Sequence, residues 1–362
     1  MKSDPKHWSW RLYVLLSIVA LILLLPGVRV YHSYSSGTLC ASCHEISQSY
    51  NEWHASTHRN VSCSSCHGSM FSADLRSHLK SLHRFVSHVR GRIPEQIHLG
   101  QDDVLKINTR CQSCHRQEYE DWAAGPHAVT YRQIFLNESH NHRRLLVDDC
   151  LRCHGMHFQG GIRDLITPVD TKGPWKLRER RLAEQHAIPC LACHQLHRSS
   201  DLVLREEQNS TPEAVQPAPS LALFDRRELA YVSVARLSLP TLREGNKYVE
   251  INPDPRQALC YQCHAATAYM QVGSGDDRTP VGVHQGLSCF TCHEGHGQKP
   301  RASCANCHPL LSSCGLNVES MDTTLKSPDS VHDIHSVKCA DCHTNGVPKK
   351  KPSPQELIAH GR

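Results

Sequence analysis

Apolar and polar positions alternate in three distinct rhythms along the chain. In RLYVLLSIVALILLLPGV (11–28), seventeen uncharged and mostly apolar residues follow Arg11. At about 1.5 Å per residue they span roughly 26 Å as a helix, enough for a bilayer core. Lys2, Lys6 and Arg11 precede the run, so the positive-inside rule leaves the rest of the chain outside the cytoplasm. Trp8, Trp10, Tyr13 and Tyr31 flank it as interfacial anchors. A cleaved signal peptide has a shorter apolar core followed by small residues, whereas Pro26-Gly27-Val28-Arg29 follows here. The pattern predicts a cytoplasmic stub and an uncleaved transmembrane anchor over residues 1–30.

A second rhythm has a period of 3.6. Phe71, Leu75, Leu79, Leu82, Val86, Val89 and Ile93 form one helical stripe, with Arg76, Lys80, His83, Arg84 and Arg90 on the other side. It predicts a helix packed by its apolar side, or a basic amphipathic helix at anionic headgroups. The third rhythm alternates by two. Residues 228–251 predict a small hairpin around Glu244-Gly245-Asn246, after a polar linker, EQNSTPEAVQPAPS (207–220).

Chemistry enters with a five-residue repeat. C-x-x-C-H starts at Cys40, Cys63, Cys111, Cys150, Cys190, Cys260, Cys289, Cys304 and Cys339. The second cysteines are Cys43, Cys66, Cys114, Cys153, Cys193, Cys263, Cys292, Cys307 and Cys342. The histidines are His44, His67, His115, His154, His194, His264, His293, His308 and His343. A chain of this composition would show the motif about 0.08 times by chance. Zinc tetrahedra and disulfides have no use for a histidine after every second cysteine. Haem c uses all three residues: two thiols add to the porphyrin vinyl groups, and the imidazole becomes the proximal iron ligand. The motifs predict nine covalently bound haems c.

That prediction changes how composition and charge read. Aromatic residues make up only 6% and mean hydropathy is −0.46, so macrocycles supply much of the interior. The formal charge of +5 falls to roughly −4 once ferric haems with their propionates are added, which removes a nucleic-acid partner. The expected fold is haem-organised: mainly short α-helices and irregular loops, one transmembrane helix and little β. By motif spacing the chain divides into an anchor (1–30), a five-haem domain (31–200), a linker with the hairpin (201–258), a four-haem domain (259–345) and a basic tail (346–362). Haem c is attached outside the cytoplasm, which places the haem domains on the periplasmic face of a bacterial inner membrane.

A low-spin haem needs a second axial ligand, and three patterns select histidines outside the motifs. Tyr-x-x-Trp-x-x-x-x-His ends at His58 and His127. C-x-x-C-H-x-x-H gives His157, His197 and His296. A histidine four or five residues before the next motif gives His186, His284, His335 and again His58. The ninth ligand comes from His78, His83, His88, His140, His142 or His332, or one haem is five-coordinate and meets substrate directly.

The block CASCHEISQSYNEWHASTHRNVSCSSCH (40–67) resembles the start of the membrane-anchored quinol dehydrogenases of the NapC/NirT type. Tyr50, Glu52, Trp53, Ser56, His58 and Asn60 match that pattern, over roughly residues 8–115. The resemblance implies a cytochrome that takes electrons from membrane quinol and passes them to periplasmic partners. At position 46 the chain has Ile where that family often carries an axial Met, and its loop before the second motif is shorter. The remainder resembles wider multihaem cytochromes related to pentahaem and octahaem reductases. C-x-x-C-K is absent, so ammonia-forming nitrite reduction is not carried over.

Quinol oxidation releases protons, and Glu45, Glu52, Asp74 and Lys80 are the candidate acceptors by position. Cys314 is left over as a spare thiol, and GSGDDRTPVG (273–282) reads as a polar loop over a haem edge. The expected function is electron transfer from quinol or another inner-membrane donor to periplasmic or extracellular redox partners. The alternatives are a terminal reductase or oxidase of a small nitrogen or sulfur compound, and an electron-transfer subunit of a larger respiratory complex.

Overall fold

The structure is a computed structural model. It describes residues 44–68, 98–197, 220–244, 246–264 and 286–297, with scattered positions at 10, 12–20, 22, 24, 27, 41, 83, 86, 87, 89–91, 322, 327, 329–332, 335, 341 and 343–346. The chain forms two compact units: residues 1–99 with 196–201, and residues 100–195 with 202–362. Division by packing thus falls elsewhere than division by motif spacing, because parts of the two motif clusters pack into one unit.

In the first unit, helix α1 (His44–Ala55) runs from the first motif histidine, and α2 (Cys63–His67) is the second motif itself. Between them the chain turns on backbone bonds from Ser56 N–H to the Trp53 carbonyl (2.9 Å) and from Val61 N–H to the His58 carbonyl (2.8 Å). Among the described residues no helix is long and apolar enough to cross a membrane. The span expected over 11–28 is therefore not seen as such. Its residues 12–20 are helical and exposed, and several intervening positions lie outside the described residues.

The second unit opens with α3 (Gln101–Cys111). Gln101, Val104, Ile107 and Asn108 are buried along one face, and Asp102 and Asp103 near the start and Arg110 near the end complement the helix dipole. Then come α4 (Arg116–Ala123), α5 (Tyr131–Phe135), α6 (Glu138–Asn141) and α7 (Ile162–Leu165). A capping box starts α5: Gln133 N–H donates to Thr130 Oγ1, and Thr130 N–H donates to Gln133 Oε1. Around α5 and α7 lies the main core, with Tyr131, Phe135, Leu151, Phe158, Leu165, Ile166, Trp175 and Leu182.

Strand content is small. β1 (Ile166–Thr167) pairs with β2 (Lys176–Leu177), β3 (Ala222–Asp225) with β4 (Ala230–Ser233), and β5 (Leu242–Glu244) with β6 (Lys247–Val249), all antiparallel. The single hairpin expected over 228–251 is corrected to two. The β5–β6 pair, with its turn at Asn246, lies where the alternation put it. A further hairpin begins at Ala222, because Phe224 turns inward onto Met156 and Ala192. Helix α8 (Arg256–Cys260) then leads into the sixth motif. Most of the helix predicted over 71–93, the linker up to residue 219, the loop 273–282, Cys314 and residues 347–362 lie outside the described residues.

Candidate functional site

Six motifs are described in full, at 63–67, 111–115, 150–154, 190–194, 260–264 and 289–293. Each winds into one tight helical turn. In five of them the histidine N–H donates to the carbonyl of the first cysteine, at 2.8 Å (His115), 2.9 Å (His154), 3.0 Å (His194), 2.9 Å (His264) and 2.9 Å (His293). That turn gathers positions i, i+3 and i+4, both thiols and the imidazole, on one side. None of their twelve cysteines is joined in a disulfide. Among the described residues no cluster of three or more His, Cys, Asp or Glu side chains is formed that could hold a bare metal ion.

Histidines meet in pairs instead. In the first unit the ring centres of His67 and His197 are 5.8 Å apart. In the second unit His127 faces His264 at 6.1 Å, His194 faces His296 at 6.0 Å, and His293 faces His335 at 5.9 Å. Each pair joins a motif histidine to one selected from outside the motifs. Two imidazoles bound end-on to one iron, with metal–nitrogen bonds of about 2 Å, hold their centres on the order of 6 Å apart. Direct stacking is closer: His157 lies on Phe224 at 4.1 Å and 21°, whereas His194 and His296 at 22° keep the wider gap. The residues fit haem c.

Hydrogen bonds orient the rings. His197 Nδ1 donates to the Ser49 carbonyl (3.0 Å), and His194 Nδ1 pairs with Ser220 Oγ (3.2 Å), which leaves Nε2 of each for the facing partner. Burial, followed by the neighbouring His296 and His115, pushes His194 down to about 4. Burial also lowers His127, aided by His264 and His296, and lowers His293, aided by His335 and His264. Neutral imidazole is the form that ligates iron.

Other selected histidines are placed differently. His157 is buried and its Nε2 donates to the Leu191 carbonyl (3.3 Å), so the nitrogen that the oriented rings leave open is used here. His186 packs edge-on to Trp122 at 4.7 Å, with Nδ1 donating to the Ala128 carbonyl (2.5 Å). Neither ring faces a motif histidine among the described residues. His58 is half-buried beside Thr57. His140, with Nδ1 on Asn141 Oδ1 (3.2 Å), is one of the imidazoles that, after burial, lower His154. His142 and His332 hydrogen-bond backbone carbonyls through Nδ1, and His83 is exposed. Glu52 accepts from Gln48 Nε2 (3.0 Å), and Glu45 lies in α1. His78, His88, His284, Asp74, Lys80, Cys40, Cys43 and the motif at 304–308 lie outside the described residues, as do Cys339 and Cys342.

Sequence reasoning missed the residues that join one motif to another. Asn108 Oδ1 accepts from Cys190 N–H (2.7 Å), and Gln257 Oε1 accepts from Cys289 N–H (3.1 Å). Their signal was a shared place, an amide three residues before a first cysteine.

Two family models match the chain. Residues 110–195 match cytochrome c554 and c-prime, and residues 248–309 match cytochrome c7 and related cytochrome c. Neither curated proteins nor solved structures give a match. Together with the motifs, these matches define a multihaem c-type cytochrome, an electron-transfer protein carrying covalently bound haem c.

Proposed function

We propose that the chain carries nine haems c, one at each motif, and relays electrons from membrane quinol or another inner-membrane donor to a periplasmic or extracellular acceptor. The observation that carries a relay is the set of four facing histidine pairs, at 5.8, 6.1, 6.0 and 5.9 Å. An iron held between two imidazoles has no open position for a substrate. Haem c supplies a one-electron ferric/ferrous couple when bound. The chain's residues would do the rest: the motif cysteines would hold the porphyrin, the facing imidazoles would ligate the iron, and the Ser49 carbonyl and Ser220 hydroxyl would orient His197 and His194.

Anchoring at the membrane is supported by the run 11–28, where Leu12, Val14, Leu15, Leu16, Ile18 and Val19 are all exposed. Water disfavours so many adjoining apolar side chains, and lipid does not. The resemblance of residues 40–67 supports quinol as donor. Glu45 and Glu52 stand seven residues apart on α1, two turns along one face, and serve as proton acceptors in this reading. Asp74 and Lys80 join them by sequence position.

Quinol added to membranes holding the full chain should reduce its haems, and removal of residues 1–30 should abolish that while dithionite still reduces them. Equal quinol reduction in both forms contradicts the reading.

One observation favours a second reading, a terminal reductase of a small nitrogen or sulfur compound. His157 is committed to Leu191, and among the described residues no ring faces His154 as rings face His67, His194, His264 and His293. Carbon monoxide binding to one haem per reduced chain supports that reading, and none sinks it.

A further inference from the structure

The β3–β4 hairpin carries no motif, yet it closes on one. Ser220, just ahead of β3, accepts from Gln195 N–H through its carbonyl (2.8 Å), and its hydroxyl meets His194 Nδ1 (3.2 Å). Ala222 N–H donates to the Cys193 carbonyl (3.0 Å). Phe224 packs in one cluster with Ala192, which is fully buried. Tyr231 OH, on β4, donates to the Leu191 carbonyl (2.9 Å). Each residue from Leu191 to His194 is thus met by a different residue of the segment 220–233.

The contact at His194 has a chemical consequence. His194 faces His296 at 6.0 Å, which leaves its Nε2 for an iron. Nδ1 then carries the ring hydrogen and donates it to Ser220 Oγ. An acceptor at that position makes the imidazole a stronger donor through Nε2, which favours ferric over ferrous iron. An exposed serine on a loose chain would give its hydroxyl to water. Here the backbone bonds from Gln195 to Ser220 and from Ala222 to Cys193 lie on either side of the contact and hold the hydroxyl in place.

We propose that Ser220 is a positioning residue that sets the reduction potential of the haem attached at 190–194, with the β3–β4 hairpin as the clip that keeps its hydroxyl on the proximal ligand. The hydroxyl lowers that potential relative to an imidazole without an acceptor. This rests on the haem reading of motif 190–194 and on no statement about membrane, donor or acceptor protein.

The test is a redox titration of the full-length holoprotein read by low-temperature electron paramagnetic resonance. The haem concerned is identified as the low-spin component that His296→Ala removes. In Ser220→Ala that component should move to higher potential while the others stay. Ser220→Thr keeps a hydroxyl and should keep the potential, and Ser220→Asp supplies a charged acceptor and should lower it. Tyr231→Phe loosens the hairpin without touching Nδ1, so it should lower the melting temperature and leave the potential alone. The proposal is overturned if Ser220→Ala leaves every component where it was, or if Tyr231→Phe moves the same component as far as Ser220→Ala does. Should Ser220→Ala fail to fold, Ser220→Asp decides: a fall in potential supports the proposal, and an unchanged or raised one overturns it. A proteolytic peptide holding 190–194 at its bare mass would instead overturn the haem reading itself.

Discussion

His194 and His296 lie 102 residues apart in sequence, yet their rings face each other at 6.0 Å and 22°. In the proposed reading His296 would be a ligand held by one motif's loop and presented to another motif's iron, and would tie distant parts of the chain through the cofactor. His296→Ala should convert one low-spin haem to high-spin, with the others unchanged. Near-infrared magnetic circular dichroism counts bis-imidazole haems and reads the loss directly. His157→Ala should leave that count as it was, and a loss equal to that of His296→Ala would contradict the placement of His157.

His157 also predicts an acid sensitivity. Burial pushes it down to about 4, against the opposing effect of its bond to Leu191. The unfolded chain therefore binds a proton more readily than the folded one. Stability from this group is intact above the unfolded value of about 6.5 and declines as pH falls toward 4, by up to about 3 kcal/mol. Denaturant melts of the second unit at pH 7 and pH 4.5 should differ less in His157→Phe than in the unaltered protein.

Gly125 is a point of close approach. A Cβ there would lie 3.0 Å from the Trp122 carbonyl oxygen and 3.2 Å from that of His296. Gly125→Ala should destabilise by about 1–3 kcal/mol, and shift the spectra of the haems served by His127 and His296. A thermal melt with absorption detection checks both, and an unchanged melt would count against the packing of these two segments.

Phe135 is fully buried in the core of α5 and α7. Phe135→Ala should cost about 3–5 kcal/mol, measured by denaturant unfolding, without altering the ligation count.

Much of the site was legible in the sequence because its chemistry is local. Two cysteines and a histidine within five residues suffice to attach a haem, so the motifs declare themselves. Four outside histidines that face motif rings, His127, His197, His296 and His335, were selected by spacing alone. Which motif each one faces was not legible. His197 meets His67 and not its own neighbour His194, and only the folded path of the chain sets that. The same pattern that selected His197 and His296 also selected His157, whose ring found Phe224 and the Leu191 carbonyl instead. Spacing fixes reach, and packing decides the partner. The hairpin at Ala222 escaped for a similar reason, since Phe224 owes its inward turn to Met156 and Ala192, far off in sequence. Asn108 and Gln257 look like ordinary helix polar residues until their acceptors are seen beside Cys190 and Cys289.

The central claim is covalent haem at the repeated motif, and intact-mass spectrometry of the purified full-length protein tests it most directly. The account predicts the polypeptide mass plus nine haem groups, retained after acid–acetone extraction. The bare polypeptide mass, or a mass accounted for by zinc, would contradict it.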